Sequence, residues 1–395
     1  MTAAVDKNHV PVRPPVLTPQ LPPLSLYIHI PWCVRKCPYC DFNSHESKTD
    51  LPEQDYIRAL IEDLDHDLPL VQARALESIF FGGGTPSLFS GTGIKQILTA
   101  VAERIDFTPD MEITLEANPG TAEQARFAEY RRAGVNRLSI GVQSFDDLQL
   151  QNLGRIHGSH EGESAIAMAR ESGFENFNID LMYALAGQCV AQAMADLGRA
   201  VDHGPTHLSW YQLTIEPNTA FYKRPPQQPD EDAMLDMQQA GFDLLNSSGY
   251  AQYEVSAFAR AGRRAAHNLN YWRFGDYLGI GAGAHGKITR PDNNDIVRTR
   301  KHRQPDHYIA SPLRTAQRQA ITQNDLPLEF MLNALRLHEG FTVDQFEART
   351  GLAFGQVEKQ VESLVLKALL TRQANHFQPT AQGRQFLNTM LEAFL

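Results

Sequence analysis

From Leu24 to about Val255 the chain alternates short apolar runs with longer stretches whose apolar residues recur three and four positions apart. The short runs are Leu24–Ile30, Ser78–Phe81, Glu112–Glu116, Arg137–Gly141, Phe177–Met182 and His207–Leu213. Each is rich in Ile, Leu, Phe, Val or Tyr and predicts a strand. Between them Glu53–Leu68, Ile94–Ile105, Ala122–Ala133, Glu161–Ser172 and Val190–His203 predict helices with one buried side. Strand followed by helix, repeated about six times, predicts an α/β parallel sheet with right-handed crossovers, open or closed as a partial barrel. Ligands of such folds gather at the carboxyl ends of the strands.

The polar and glycine-rich motifs fall at that end. Three cysteines follow the first strand, Gly82-Gly83-Gly84-Thr85-Pro86 the second, and Glu116-Ala117-Asn118-Pro119 closes the third. Gln143-Ser144-Phe145 follows the fourth strand, and Asp180 lies in the fifth. Before the first strand, residues 1–23 form a polar, proline-rich arm expected to be flexible. After the 24–255 core, residues 256–325 are expected to bridge to a last module, 326–395. There Leu328–Leu337, Val343–Arg349 and Gln356–Lys367 predict three helices, Leu369–Arg372 and His376–Pro379 a β pair, and Ala381–Phe394 a closing helix. This is the order of a winged-helix-like domain. The segment is not notably basic, so a structural or docking role is expected rather than DNA binding.

Charge supports that exclusion. Lys and Arg total 36 against 46 Asp and Glu, a formal charge of −10 with a pI near 5.8. A nucleic-acid partner usually requires a basic face. No apolar run approaches the roughly 20 residues that span a bilayer, and the N-terminus lacks a secretion pattern. A cytoplasmic location is expected, with any membrane contact peripheral and through partners. Of four cysteines, Cys189 stands alone, whereas Cys33, Cys37 and Cys40 lie within eight residues. Clustered thiols in a reducing compartment point to metal or redox chemistry.

The spacing is C-x3-C-x2-C. A zinc site normally has four protein ligands, in pairs from separate knuckles. Here three thiols share one loop, with no fourth cysteine and no obvious histidine at knuckle spacing. A 4Fe–4S cluster accepts three thiolates and keeps one iron open; zinc or unliganded thiols are the alternatives. Elsewhere at the same end, Glu116 could accept hydrogen bonds from a ribose or an ammonium, or simply cap or pair locally. Asp180 interrupts the apolar run Ile179, Leu181, Met182, where an unpaired charge is costly. Gln143 and Arg155 are similar polar candidates.

Three cysteines at this spacing after a first strand resemble the radical S-adenosylmethionine superfamily, whose fold is a partial (β/α)6 barrel. The resemblance implies that the open iron chelates the amino and carboxylate groups of S-adenosylmethionine and that Tyr39 packs on its adenine. It also implies that the backbone at Gly83, Gly84 and Thr85 approaches the methionine end, with N–H groups offered to the carboxylate. The motifs Tyr27-Ile-His-Ile-Pro-Trp-Cys33, Phe81-Gly-Gly-Gly-Thr-Pro86, Glu116-Ala-Asn-Pro119, Gly141-Val-Gln-Ser-Phe145 and Leu278-Gly-Ile-Gly-Ala-Gly-Ala-His285 resemble the HemN/HemW group. That match runs from about residue 24 to the C-terminus. It implies that Tyr27, Gly83, Gly84, Thr85, Glu116, Gln143, Arg155 and Asp180 line the S-adenosylmethionine region.

Two branches of the group differ. Oxygen-independent coproporphyrinogen III oxidases carry a further cysteine two residues after the third, and a longer N-terminal segment. Here that position is Phe42. Cys40-Asp-Phe42 and His267-Asn-Leu-Asn-Tyr-Trp272 instead resemble the heme-chaperone branch. This implies a carrier that binds heme and passes it to membrane-bound respiratory hemoproteins, with no residue assigned a catalytic role and a homodimer as one possible assembly. His267 is then the candidate heme ligand, with Tyr271 and Trp272 as aromatic neighbours; a locally hydrogen-bonded histidine is the alternative. His29, His157 and His285 compete with it. Gly281-x-Gly283-x-x-Gly286 is expected to be a tight turn with close backbone packing rather than a dinucleotide site. The other functional class is a radical enzyme acting on coproporphyrinogen or another tetrapyrrole.

Overall fold

The computed structural model describes residues 17–47, 51–120 and 125–395. Most of the proline-rich arm and the start of the helix expected at Ala122 lie outside the described residues. The six expected strands are β1 Leu24–Ile30, β2 Leu76–Gly83, β3 Phe107–Ala117, β4 Arg137–Gln143, β5 Phe177–Tyr183 and β6 His207–Gln212. They pair in sequence order, all parallel. The crossovers contain α1 Glu53–Asp67, α2 Gly91–Ala102, α3 Phe127–Ala133, α4 Ser159–Glu171 and α5 Val190–Asp202. Capping sets the boundaries that periodicity missed: the Ser90 hydroxyl accepts the Gly93 N–H at 3.0 Å and starts α2 three residues before Ile94.

The two faces of the sheet differ in chemistry. Leu24, Leu26, Ile28 and Ile30 of β1 pack into the main core beneath the helices. The alternate positions are polar and satisfy one another across the inner face. Ser78 Oγ donates to Ser25 Oγ at 2.8 Å, Asn178 Nδ2 to Ser139 Oγ at 2.8 Å, and Ser139 Oγ to Asp180 at 3.1 Å. The Tyr211 hydroxyl of β6 reaches Gln143 of β4, two strands away, at 2.6 Å. This is the inward curl of a partial barrel.

The segment expected only to bridge, 256–325, supplies five strands. They are β7 Ala257–Ala259, β8 Asp276–Ile280, β9 His285–Arg290, β10 Asp295–Lys301 and β11 Thr315–Ala320. β7 is antiparallel to β6 at one edge, while β8 pairs parallel with β1 and leads into the antiparallel series β9, β10, β11 at the other. The sheet thus has twelve strands, counting the two-residue Ala251–Gln252. The extension is tied to α1 by a buried ammonium: Lys301 Nζ lies 2.6 Å from Asp63 and 2.7 Å from Asp67, and the Tyr308 hydroxyl donates to Asp63 at 2.7 Å. The Gly281–Gly286 turn is the close approach expected of it. Gly281 has φ +103°, and a Cβ there would lie 2.3 Å from the His29 carbonyl oxygen.

Among the further helices of this part are α6 Glu231–Ser247 and α7 Ala266–Trp272. In the terminal module, helices Leu326–Ala334, Val343–Thr350 and Glu358–Leu366 surround a separate apolar cluster built on Phe330, Phe346 and Phe377. The β pair is present as Leu370–Gln373 and His376–Pro379, with Phe341–Thr342 as a third strand. The expected closing helix is broken at Phe386 (φ −107°, ψ 40°) into Ala381–Gln385 and Leu387–Glu392.

Candidate functional site

The cysteine loop leaves the carboxyl end of β1 and is closed by its own backbone. Trp32–Cys33 pairs with His45–Glu46, the Cys40 N–H donates to the Cys37 carbonyl at 3.1 Å, and Lys36 Nζ donates to the carbonyls of Phe42 and Ser44 at 3.1 and 3.3 Å. All three thiols are free and half-buried. Burial pushes the Cys33 thiol up to about 11, against hydrogen bonding from Thr85. Arg155 Nη1 lies 3.7 Å from Cys37 Sγ, and Ser44 Oγ 3.6 Å from Cys40 Sγ. Among the described residues, no three His, Cys, Asp or Glu side chains converge on a single metal ion. Thiols spread around one cavity fit a cluster in which each binds a different iron, better than they fit zinc.

That cavity has a volume of about 260 Å³. Cys33, Cys37, Cys40, Tyr39, Gly83, Gly84, Thr85, Glu116, Gln143, Arg155 and Asp180 all line it. The structure therefore brings together every expected cluster and S-adenosylmethionine residue except Tyr27. Gln143 turns into the site from the end of β4 with φ +70°, a conformation that costs an ordinary side chain about 1–3 kcal/mol. Arg155 is anchored to the Gly141 carbonyl at 2.6 Å and Asn118 Oδ1 at 2.8 Å. Asn118, Ser139 and Tyr211 also line the cavity but were not singled out by sequence; alternation along β4 and β6 places Ser139 and Tyr211 inward and was the available signal.

The glycines act differently from expectation. The N–H groups of Gly83, Gly84 and Thr85 are engaged by Glu116 Oε2 (3.2 Å), the Ile30 carbonyl (2.7 Å) and the Trp32 carbonyl (2.7 Å). A Cβ on Gly84 would lie 2.5 Å from the Trp32 oxygen, and one on Gly83 2.5 Å from the His29 ring. These residues are glycine because β2 presses against the root of the cysteine loop.

Burial, then the neighbouring Asp180, push the Glu116 carboxyl up to about 8, against the pull of the Gly83 N–H. The unfolded carboxyl ionises near 4.5. Stability carried by the protonated form is therefore full below that pH and is lost as pH rises toward 8, by at most about 1.4 kcal/mol per unit. Glu116→Gln should flatten this fall. In urea denaturation of the metal-free chain, the variant gains on the parent between about pH 5 and pH 8; parallel pH profiles would reject the assignment.

Tyr27 lines a second cavity, with Phe42 as a wall common to both. His267, on α7, is 1% exposed. Its Nδ1 lies 3.0 Å from Ser78 Oγ and its Nε2 3.0 Å from the Tyr271 hydroxyl, while its ring stacks on Phe80 at 4.9 Å. Burial, then Arg137, bring it down to about 3, so it is a neutral ring with both nitrogens engaged. Iron could reach a ring nitrogen only if Ser78 or Tyr271 gave up its hydrogen bond. Trp272 packs against Arg336 instead, 4.5 Å from ring to guanidinium.

Residues 27–197 match the Radical SAM superfamily and residues 321–386 the HemN C-terminal domain. The heme chaperone HemW of Escherichia coli is 50% identical over 376 residues, which is 95% of this chain and 99% of that protein. The chain belongs to the HemW family. HemW of Haemophilus influenzae is likewise 50% identical, over 381 residues, 95% of this chain and 99% of its own. A mouse mitochondrial relative, radical S-adenosyl methionine domain-containing protein 1, is 36% identical over 386 residues, 94% of this chain and 87% of its own. The HemW-family fold described above is shared with the coproporphyrinogen III oxidase HemN of Escherichia coli. That structure aligns with a TM-score of 0.79 at 24% identity, covering 95% of this chain and 90% of HemN.

Proposed function

We propose that this chain is a heme chaperone that binds heme and hands it to respiratory hemoproteins, and that it carries a 4Fe–4S cluster and S-adenosylmethionine in the first cavity. The observation that carries the reading is identity of one residue in two to chaperones of this name along nearly the whole of both chains. The cluster, when bound, supplies one-electron chemistry next to the sulfonium. The chain's own groups hold and shield that ligand. Cys33, Cys37 and Cys40 take the irons, Tyr39 offers an aromatic face, and Glu116 and Asp180 present carboxyl groups on the cavity wall. Burial raises the Asp180 carboxyl as well, and hydrogen bonds from Asn178, Ser209 and Ser139 oppose that rise. A cationic ligand would therefore draw protons off this pair as it binds.

Phe42 favours the carrier over the oxidase reading. It is 62% exposed between the two cavities and brings no thiol to the position where the oxidase branch has one. The test is anaerobic reconstitution followed, on one sample, by heme titration and incubation with reductant, S-adenosylmethionine and coproporphyrinogen III. Stoichiometric heme uptake without protoporphyrinogen is expected; protoporphyrinogen formation would sink the chaperone reading. Transfer takes place from the cytoplasm, with the membrane reached through the acceptor. Among the described residues no helix is long and apolar enough to cross a membrane. Pairing of two copies is to be read by sedimentation with and without the cluster.

A further inference from the structure

The second cavity is the larger, about 490 Å³, within the range of small-molecule sites. It lies between Phe42 of the cysteine loop and the strands β8, β9 and β10 that extend the sheet. Tyr271 and Tyr277 form an aromatic corner, their rings 4.4 Å apart and nearly perpendicular. His285 and Arg300 are directly opposed in the β9–β10 register, and Arg303 follows just after β10. All three are exposed. Arg303 Nε has only a long contact, 3.4 Å, to Asn43 Oδ1. Asp41 is the sole acid among the residues lining the cavity, so its wall is positive on balance.

The histidines sort themselves by their hydrogen bonds. His29 spends Nδ1 on the Tyr27 hydroxyl and Nε2 on the Asn43 carbonyl, both at 3.0 Å. His157 is buried, with Nε2 on the Val142 carbonyl at 3.1 Å. His267 has both nitrogens engaged. The His285 ring makes no hydrogen bond among the described residues, and it faces an open cavity. Partial burial and the arginines around it keep it below the usual histidine range, and a neutral imidazole is the form that binds iron.

We infer that the second cavity holds the tetrapyrrole, with the His285 imidazole on the iron, Arg300 and Arg303 on the propionate carboxylates, and Tyr271 and Tyr277 along the macrocycle. The chemistry matches on each count: a dicarboxylate calls for two cations, a flat ring for aromatic surface, and ferric iron for a free nitrogen. This rests on the heme-carrier reading and gives it a place.

The test is titration of the full chain with ferric heme, followed by absorption. The parent should bind one heme with a shifted Soret band. His285→Ala should weaken binding by about tenfold or more and alter the band, with added free imidazole restoring it. His285→Met, which keeps an iron-binding side chain, should give a third, distinct spectrum. The double variant Arg300→Ala/Arg303→Ala should bind more weakly with the parent spectrum, because ligation is intact. His267→Asn should keep the parent spectrum. Unchanged far-ultraviolet dichroism and cluster absorption identify folded variants. If the parent binds heme but His285→Ala matches it in spectrum and affinity, this assignment fails and the carrier reading survives. If the parent takes up no heme, the carrier reading itself fails. If the arginine variants lose S-adenosylmethionine and not heme, the cavity is a nucleoside site and the inference is overturned.

Discussion

Lys301→Met should lower the unfolding free energy of the chain by about 3–5 kcal/mol, the scale for removing one partner of a buried ion pair. Lys301 is fully buried, and its ammonium serves Asp63, Asp67 and the Thr315 hydroxyl together. Methionine fills much the same volume but leaves two carboxylates, 1% and 3% exposed, without that cation. Arg318 stands 4.0 Å from Asp67 and gives partial relief, so Asp63 is the more stranded. Burial already raises the Asp63 carboxyl, against the opposing pull of Lys301. Losing the lysine raises it further. A raised carboxyl contributes stability at low pH that is lost as pH rises, so the deficit of the variant should grow from acid toward neutral pH. Urea unfolding at two pH values measures it; a deficit below about 1 kcal/mol at neutral pH would mean that water reaches the pair. The contact joins α1 to the strand beside the second cavity, so heme uptake should weaken along with stability.

Cys37→Ser should abolish the cluster while leaving the fold intact. Iron content after anaerobic reconstitution should drop from about four per chain to near zero, and the visible thiolate-to-iron absorption should vanish with it. The loop also has contacts of its own. The Trp32–Cys33 and His45–Glu46 pairing and the Lys36 contacts are made by protein atoms alone. The stability cost of the substitution is therefore small, about 0.5 kcal/mol. Cys189, exposed at the start of α5, is the control, since Cys189→Ser should retain full iron. A Cys37→Ser chain that kept its iron and its colour would require a ligand set other than the three cysteines.

The contrast between what the sequence revealed and what it hid has a physical basis. β1 and the strand His376–Pro379 appear with the bounds expected, because apolar alternation and flanking turn residues marked both. The cavity residues stand out because the loops at the carboxyl ends of a parallel sheet converge whatever their separation along the chain. β10 and β11 were hidden. β10 reads Asp-Ile-Val-Arg-Thr-Arg-Lys and β11 Thr-Ala-Gln-Arg-Gln-Ala, and β11 is almost wholly exposed, so neither shows a hydrophobic period. Lys301 looks like a surface residue until α1, more than two hundred positions earlier, supplies its carboxylates. His267 stood out by resemblance, whereas the free state of the His285 nitrogens is a fact about partners that only the folded chain displays.

Phe42 lines both cavities, and a single side chain cannot be placed independently for each. Whatever fixes its rotamer from one side sets the shape met from the other. Linkage then demands symmetry: any factor by which S-adenosylmethionine changes the hold on heme is the factor by which heme changes the hold on S-adenosylmethionine, typically about 5- to 150-fold in coupled sites. With heme in the second cavity, loading and release would be one equilibrium seen through two windows, and a smaller residue at this position should uncouple them while leaving each site able to fill.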